Sequence, residues 1–152
     1  MQNIYKKNNT KKSINPTKLL QNIKLIIWDL DDTLWKGEIL KKNVELNKNN
    51  IELVKQLKNN NIKLGICSKN NEKETIEFLK TNNLIQYFDN ININWENKGI
   101  RIKEILEIFN IKPKDSLFID DDINNLEDAI YHNKNINVAK PEFIELIEEY
   151  YL

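Results

Sequence analysis

The sequence predicts an α/β fold in which a parallel sheet is covered by helices on both faces. Short apolar runs alternate along the chain with longer stretches of helical spacing, and only three Gly and three Pro interrupt them. Continuous apolar strands separated by helices are typical of parallel sheets that are buried on both faces. Right-handed crossover connections then give a doubly wound, three-layer domain.

The apolar runs and the helical faces define the expected elements. Strands are predicted at residues 23–28, 62–67, 89–93, 116–119 and 135–138. Four helical faces follow from apolar spacing: they contain Ile51, Val54 and Leu57; Ile76 and Leu79; Ile102, Ile105, Leu106 and Phe109; and Phe143, Leu146 and Ile147. Asn97 precedes the third helix and Pro141 lies early in the fourth, as is typical of helix starts.

Length and charge limit the class of protein. The 152 residues fit one domain, and 23 basic against 23 acidic residues give no net charge to attract nucleic acid or a membrane surface. No run reaches the roughly 18 apolar residues of a membrane span. The single Cys excludes an intrachain disulfide and favours a cytoplasmic location. Residues 1–21 are polar, carry Lys without acids and are expected to form a flexible leader, and residues 22–152 are expected to form a single domain.

Candidate functional residues follow the predicted strands, where ligands bind in open α/β sheets. The acidic loop at 29–33 alone resembles a solvated turn, and Ser68 and Asn70 alone resemble helix caps. Lys98 alone resembles a surface cation. Three consecutive acids at 120–122 are costly without a cation, however. Together these groups indicate Mg²⁺ and a transferring phosphoryl group.

Four segments carry a family resemblance. Residues 28–35 (WDLDDTLW), 66–70 (ICSKN), 94–98 (NWENK) and 118–121 (FIDD) resemble motifs I to IV of the haloacid dehalogenase superfamily, in the family's order. The wording is most similar to the FkbH-like branch of subfamily IIIC, which also contains small magnesium-dependent phosphatases. The resemblance extends over about residues 23–138, and it implies a Rossmann-like core.

The resemblance implies roles for the motif residues. Asp29 would attack phosphorus and form an aspartyl-phosphate, Asp31 would act as general acid and base, and Lys98 would orient Asp29. Substrate phosphate would be bound by a polar set: Ser68, Lys69, Asn70 and Thr33. Mg²⁺ would be held by Asp29, the Asp31 carbonyl and motif IV, with Asp121 as the direct ligand and Asp120 as support. The extra Asp122 leaves the register of motif IV open.

The spacing between motifs leaves no room for a cap domain. Residues 33–68 hold a flap-like turn, a helix and a strand, and residues 68–98 hold a helix and a short strand. An open cleft excludes water poorly, which favours a phosphorylated macromolecule or a phosphorylated small molecule covered by the flap.

Three functions remain open. The first is Mg²⁺-dependent phosphatase activity on a phosphate ester or acyl phosphate. The second is the FkbH-like transfer of a glyceryl group from 1,3-bisphosphoglycerate to an acyl carrier protein through a Cys67 thioester. A small buried core residue is the favoured interpretation of Cys67, since strand alternation turns it away from Ser68. The third is a non-catalytic module that binds a phosphorylated ligand.

Overall fold

The computed structural model describes residues 15–152, which form a five-stranded sheet with helices on both faces. The strands are β1 (Leu25–Trp28), β2 (Lys63–Ser68), β3 (Asn90–Ile93), β4 (Ser116–Ile119) and β5 (Asn137–Ala139). All pairs are parallel and the order is β3-β2-β1-β4-β5. The predicted doubly wound α/β fold is confirmed.

Within residues 15–152, six α-helices surround the sheet. They are α1 (Pro16–Asn22), α2 (Lys48–Asn59), α3 (Glu72–Thr81), α4 (Lys98–Phe109), α5 (Ile123–His132) and α6 (Ile144–Tyr151). The sheet divides the core into two apolar clusters. Helices α1, α2, α3 and α6 pack in one cluster with Ile26 and Trp28 of β1, and α4 and α5 pack in the other with Leu25 and Ile27.

The start of the domain differs from the prediction. Residues 1–14 of the predicted leader lie outside the described residues. Residues 16–21 belong to α1, whose start is capped by Asn15 through a 3.1 Å bond from the Thr17 amide. Leu19 and Leu20 are buried in the core cluster on the α6 side. The predicted boundary at residue 21 is therefore wrong, because an apolar pair too short to show periodicity is enough to anchor this helix.

Two other predicted boundaries shift for local reasons. The strand expected from residue 23 begins at Leu25 because Ile23 ends α1, with its amide bonded to the Leu19 carbonyl. Pro141 opens a short 3-10 turn, and α6 begins only at Ile144. Leu146 lies on the outer side of α6 and is partly exposed, whereas Ile147 is buried.

The connections within residues 15–152 contain no cap domain. Between β1 and α2 the chain forms a tight turn, Leu30–Leu34, and then a flap closed by antiparallel pairing of Lys36 with Glu45. Between β2 and α4 there are only α3, a short turn and β3. None of the described helices is long and apolar enough to cross a membrane. The carboxyl edge of the sheet is therefore left open except for the flap.

Candidate active site

The strand order brings two aspartates side by side at the carboxyl edge of the sheet. Strand β1 lies between β2 and β4, and Trp28 is in register with Ile119. The Asp29 amide continues this pairing with a 3.0 Å bond to the Ile119 carbonyl. Asp29 and Asp120 therefore leave adjacent strands at the same level, at the point where the strand order reverses.

Lys98 joins these two aspartates from the first residue of α4. Its Nζ lies 2.8 Å from Asp29 Oδ1 and 2.6 Å from Asp120 Oδ2. Lys98 is 1% exposed and Asp29 is 7% exposed, so water screens this triad little. The Thr33 hydroxyl donates to Asp29 Oδ2 at 3.0 Å. Three predicted site residues, Asp29, Lys98 and Thr33, thus meet in one buried cluster.

Burial is the largest single influence on the pKa values of Asp29, Asp120 and Lys98. It raises the pKa of Asp29 to about 7, although the Lys98 charge lowers it. Burial and the neighbouring Asp29 charge likewise raise the pKa of Asp120. For Lys98, burial alone would lower the pKa, but Asp29 and Asp120 outweigh it and hold the pKa above its usual range. Lys98 is therefore charged, while Asp29 needs added positive charge to be ionised throughout the neutral pH range.

A third carboxylate completes a group that could hold a metal ion. One oxygen from each of Asp29, Asp120 and Asp121 lies within 4.8 Å of the others. Asp120 is buried and already accepts from Lys98, from Asn125 Nδ2 at 3.2 Å and from the Asp122 amide at 2.9 Å. Asp121 is exposed; it accepts from the Thr33 hydroxyl at 3.2 Å and shares a side-chain hydrogen bond with Asp29. This all-oxygen donor set suits a hard divalent cation.

Asp122 has a different position from the other two acids of its run. It is the N-cap of α5, where its Oδ1 accepts from the Asn124 amide at 2.9 Å. Asp and Asn are preferred at this position because they satisfy an amide that the helix leaves unpaired. Asp122 therefore lies outside the carboxylate group, which contains Asp120 and Asp121 of this run.

Asp31 lies near Asp29 in sequence but faces the flap. Its Oδ1 accepts from Trp35 Nε1 and from the Ile39 amide, both at 3.1 Å, and its Oδ2 accepts from Asn70 Nδ2 at 2.8 Å. Burial raises the pKa of Asp31, although these hydrogen bonds oppose the increase. The Asp31 carboxylate is not one of the three that form the metal-ion group.

The turn after β1 depends on Asp32. Asp32 has φ 55°, a left-handed conformation that Asp and Asn adopt more readily than most residues. Its Oδ1 accepts from the Gly37 amide at 2.9 Å, and its own amide donates to the Gly37 carbonyl at 3.1 Å. Asp32 thus anchors the flap to the turn that carries Asp31.

The end of β2 contributes Ser68 and Asn70, which are both 1% exposed. Asn70 was predicted to bind substrate, but its amide donates to Asp31 and its Oδ1 accepts from the Asn71 amide at 3.1 Å. Its polar atoms are therefore already in use. Lys69 is half-buried, and its side chain forms no ion pair within residues 15–152. Ser68 ends β2 beside β1, at the same edge as Asp29.

Cys67 lies in the core below the site, on the face of the sheet that α4 and α5 cover. It is buried in the apolar cluster that contains Leu25, Ile27 and Ile102. Burial raises the pKa of its thiol to about 11. The geometry matches the core-residue interpretation of Cys67, since a neutral buried thiol is a poor nucleophile.

Two side chains and one glycine that hold the start of α4 were not identified from sequence. Asn97 is at the N-cap but makes no capping bond; instead the Gly99 amide donates to Asp128 Oδ2 at 2.7 Å. A Cβ at Gly99 would lie 2.4 Å from the Asp128 carbonyl oxygen, so only glycine allows α4 and α5 this close. Arg101 is buried nearby, and its one available sequence signal was that it is the only Arg in the chain.

Comparisons with known proteins agree with this geometry. The model of the haloacid dehalogenase-like hydrolase family matches residues 33–140. No curated protein matches the chain. Among solved structures, the N-terminal part of BF1531 from Bacteroides fragilis, which contains a phosphatase domain complexed with Mg, is 28% identical with a TM-score of 0.72. That match covers 81% of this chain, which spans only 38% of the Bacteroides chain.

Two more distant structures share the fold. A haloacid dehalogenase-superfamily hydrolase from Ehrlichia chaffeensis is 20% identical with a TM-score of 0.67, over 84% of this chain and 97% of that one. The 3-deoxy-D-manno-octulosonate 8-phosphate phosphatase of Moraxella catarrhalis is 17% identical with a TM-score of 0.65, over 88% and 90%. With most of the chain covered by the family model, this protein belongs to the haloacid dehalogenase-like hydrolase family.

Proposed function

We propose that this protein is a Mg²⁺-dependent phosphatase that transfers a phosphoryl group first to Asp29 and then to water. The observation that carries the proposal is the buried triad of Lys98 with Asp29 and Asp120, next to the exposed Asp121. Lys98 pairs with two of the three carboxylates, and the remaining like charges repel at low dielectric unless a further cation compensates for them. The Bacteroides neighbour, complexed with Mg, supports the same choice of ion.

Each step uses a group of this chain. An Asp29 oxygen attacks phosphorus, the bond from phosphorus to the leaving oxygen breaks, and Asp31 donates its proton to that oxygen. Asp31 then takes a proton from water, which attacks phosphorus, so inorganic phosphate leaves and Asp29 is regenerated. The raised pKa of Asp31 suits the first of these proton transfers. Lys98 orients Asp29 through the 2.8 Å contact and stabilises its ionised form.

Mg²⁺ would neutralise charge on the transferring phosphoryl group. Asp29 and Asp121 are the proposed side-chain ligands, with the Asp31 carbonyl, and Asp120 supports them while it holds Lys98. The Ser68 hydroxyl and Lys69 are the proposed contacts for phosphate oxygens. Thr33 and Asn70 are proposed as positioning residues instead, because their side chains already bond to Asp29 and Asp31.

The open cleft indicates which substrates fit. With no cap among the described residues, a phosphorylated small molecule would be covered by the flap alone, and a phosphorylated macromolecule could approach directly. Trp95 is 63% exposed in the segment before Lys98 and offers an aromatic surface to either. The unpaired Cys67 fits a reducing compartment such as the cytoplasm.

From the motif wording we also propose that the chain belongs to the FkbH-like branch of subfamily IIIC. Glyceryl transfer is nevertheless the less favoured activity. It requires a reactive thiol that can reach an acyl carrier protein, whereas Cys67 is buried with its pKa raised to about 11. A non-catalytic binding module is also less favoured, because each expected catalytic position is filled. Phosphate hydrolysis needs no rearrangement of the core.

Hydrolysis of a generic aryl phosphate in Mg²⁺ tests the proposal. We expect phosphate release by the wild type, loss on chelation of the metal, and a decrease of about 10⁴-fold or more in Asp29→Asn, which has no nucleophile. Asp122→Asn is the matched control, because Asn retains the cap of α5 and the position lies outside the carboxylate group. A wild type that hydrolyses no phosphate at saturating Mg²⁺ would refute the proposal.

A further inference from the structure

Arg101 is a buried cation without an acidic partner. Its side chain lies in the first turns of α4, one turn after Lys98, and the residue is 3% exposed. Lys98 contacts two carboxylates, but no acidic side chain in residues 15–152 forms an ion pair with Arg101. Burying a charge is costly unless other groups compensate for the lost water. The compensation here comes from neutral acceptors.

Those acceptors belong to three segments around the phosphate end of the site. Arg101 Nη2 donates to the Ser68 carbonyl at 2.7 Å and to the Asn92 carbonyl at 2.8 Å. Nε donates to Asn92 Oδ1 at 2.8 Å, and Nη1 donates to the Glu96 carbonyl at 2.9 Å. One guanidinium thus connects the end of β2, strand β3 and the segment that leads to Lys98.

The choice of arginine follows from this geometry. A planar guanidinium presents several donors in fixed directions, whereas a lysine ammonium at the same place cannot reach three segments at once. All other Lys or Arg positions of the chain are Lys, so Arg101 stands where the several donors of a guanidinium are needed. The charge itself lies near the N-terminus of α4, where the helix dipole disfavours cations and favours anions.

We infer that Arg101 is a positioning residue of the phosphate site. Its hydrogen bonds fix the Ser68 end of β2 and the segment before Lys98, and its unneutralised charge strengthens the binding of a phosphate dianion. The inference rests on the proposed function only in taking Ser68 as a phosphate-binding residue.

A binding cycle between Arg101 and Ser68 tests the inference without requiring turnover. The dissociation constant for inorganic phosphate in Mg²⁺ is measured by calorimetric titration. Arg101→Lys retains the charge but loses the fork, and we expect it to weaken phosphate binding about tenfold. In a Ser68→Ala background the same substitution should have little effect, because both changes remove one interaction. An equal loss in both backgrounds would overturn the positioning role.

Arg101→Gln separates charge from geometry. It removes the cation, so we expect weaker phosphate binding than in Arg101→Lys, in both backgrounds. Equal affinities for the two variants would overturn the electrostatic part of the inference. Asn92→Ala removes the Nε acceptor, which also accepts from Asn94 Nδ2 at 3.4 Å, and leaves the buried cation in place. It should weaken phosphate binding in the same Ser68-dependent way, and it serves if the Arg101 variants fail to fold.

Control measurements distinguish the role of Arg101 from a general loss of stability and from the proposed hydrolysis. Lys58→Met removes a partly buried cation that pairs with Asp89, outside the site, and should lower stability without changing phosphate affinity. A wild type that binds phosphate but hydrolyses no ester would refute the proposed hydrolysis and leave the Arg101 cycle interpretable. A wild type that hydrolyses esters but shows additive losses would refute only the role of Arg101. A wild type that binds no phosphate would overturn the inference.

Discussion

The loops after β1 and β4 both carry a run of aspartates, but they use their carboxylates in different ways. After β1, Asp29 faces a cation and a hydroxyl, whereas Asp31 is held by neutral donors from the flap. After β4, Asp120 faces the same cation, Asp121 is exposed, and Asp122 caps a helix. A run of like charges is therefore tolerated because each carboxylate has its own kind of partner. The role of each aspartate therefore depends on its partners and not on its residue type.

In this comparison the largest effect on turnover is expected for a substitution of Asp31, and its neighbour Asp32 provides the control. Asp31→Asn removes the proposed acid and base and should lower turnover by about 10²- to 10⁴-fold. Because the second step needs a base, phosphorylated protein should accumulate, which mass spectrometry of acid-quenched samples detects. Asp32→Asn is the matched control, since Asn tolerates the left-handed conformation of Asp32. Equal turnover in the two variants would remove Asp31 from the proposed mechanism.

A smaller effect is expected in the stability of the metal-free protein. Folded Asp29 retains its proton up to a pH of about 7, whereas the ordinary carboxyl pKa is 3.8. Between these values the folded state binds more protons than the unfolded state, so the free energy of unfolding falls as pH rises. We expect a loss of about 4 kcal/mol from this group between pH 4 and 8, measured by urea unfolding with a chelator present.

Two comparisons check the origin of that loss. Asp29→Asn carries no titrating group at this position and should lose less stability over the same range. Mg²⁺ should restore stability to the wild type at pH 8, because it favours the ionised carboxylate. Identical pH dependence in the wild type and Asp29→Asn would contradict the assignment to Asp29.

The smallest expected effect concerns Asp122. Asp122→Ala removes the cap of α5 and should lower the free energy of unfolding by about 1 kcal/mol. Turnover and the Mg²⁺ concentration for half-maximal activity should stay at their wild-type values, since the Asp122 side chain bonds to the Asn124 amide. Thermal unfolding and a Mg²⁺ titration of activity measure the two quantities. A marked shift in the Mg²⁺ requirement would place Asp122 at the cation after all.

The sheet and the edge that carries the site could be predicted from the sequence. The apolar runs that end at Trp28 and Ile119 were sufficient to place Asp29 and Asp120 at the carboxyl edge of the sheet, whereas the structure shows that β1 and β4 are neighbours. Absolute strand ends shifted by one or two residues, as at Leu25, because local caps decide them. The absence of a cap followed from the lengths of the connections alone.

The partners of individual polar groups could not be predicted in the same way. The bond between Asn70 and Asp31 spans 39 residues, and the bond between Thr33 and Asp121 spans 88. Such pairs depend on side-chain directions that no local pattern encodes. Arg101 was missed because its four acceptors are three backbone carbonyls and one side-chain amide oxygen, which form no charge pattern in the sequence. Helix α1 was missed because its two buried leucines depend on the C-terminal helix.

Strand β1 has a consequence for how the sheet is aligned. All four of its residues are buried, so a shift of one residue against β4 would exchange one set of large apolar side chains for another. The same shift would carry Asp29 away from Lys98 and leave a charged amine in the core without one of its two partners. The polar triad therefore penalises misalignment that the apolar residues would tolerate. In this protein the residues proposed for catalysis also help to fix the register of the central strands.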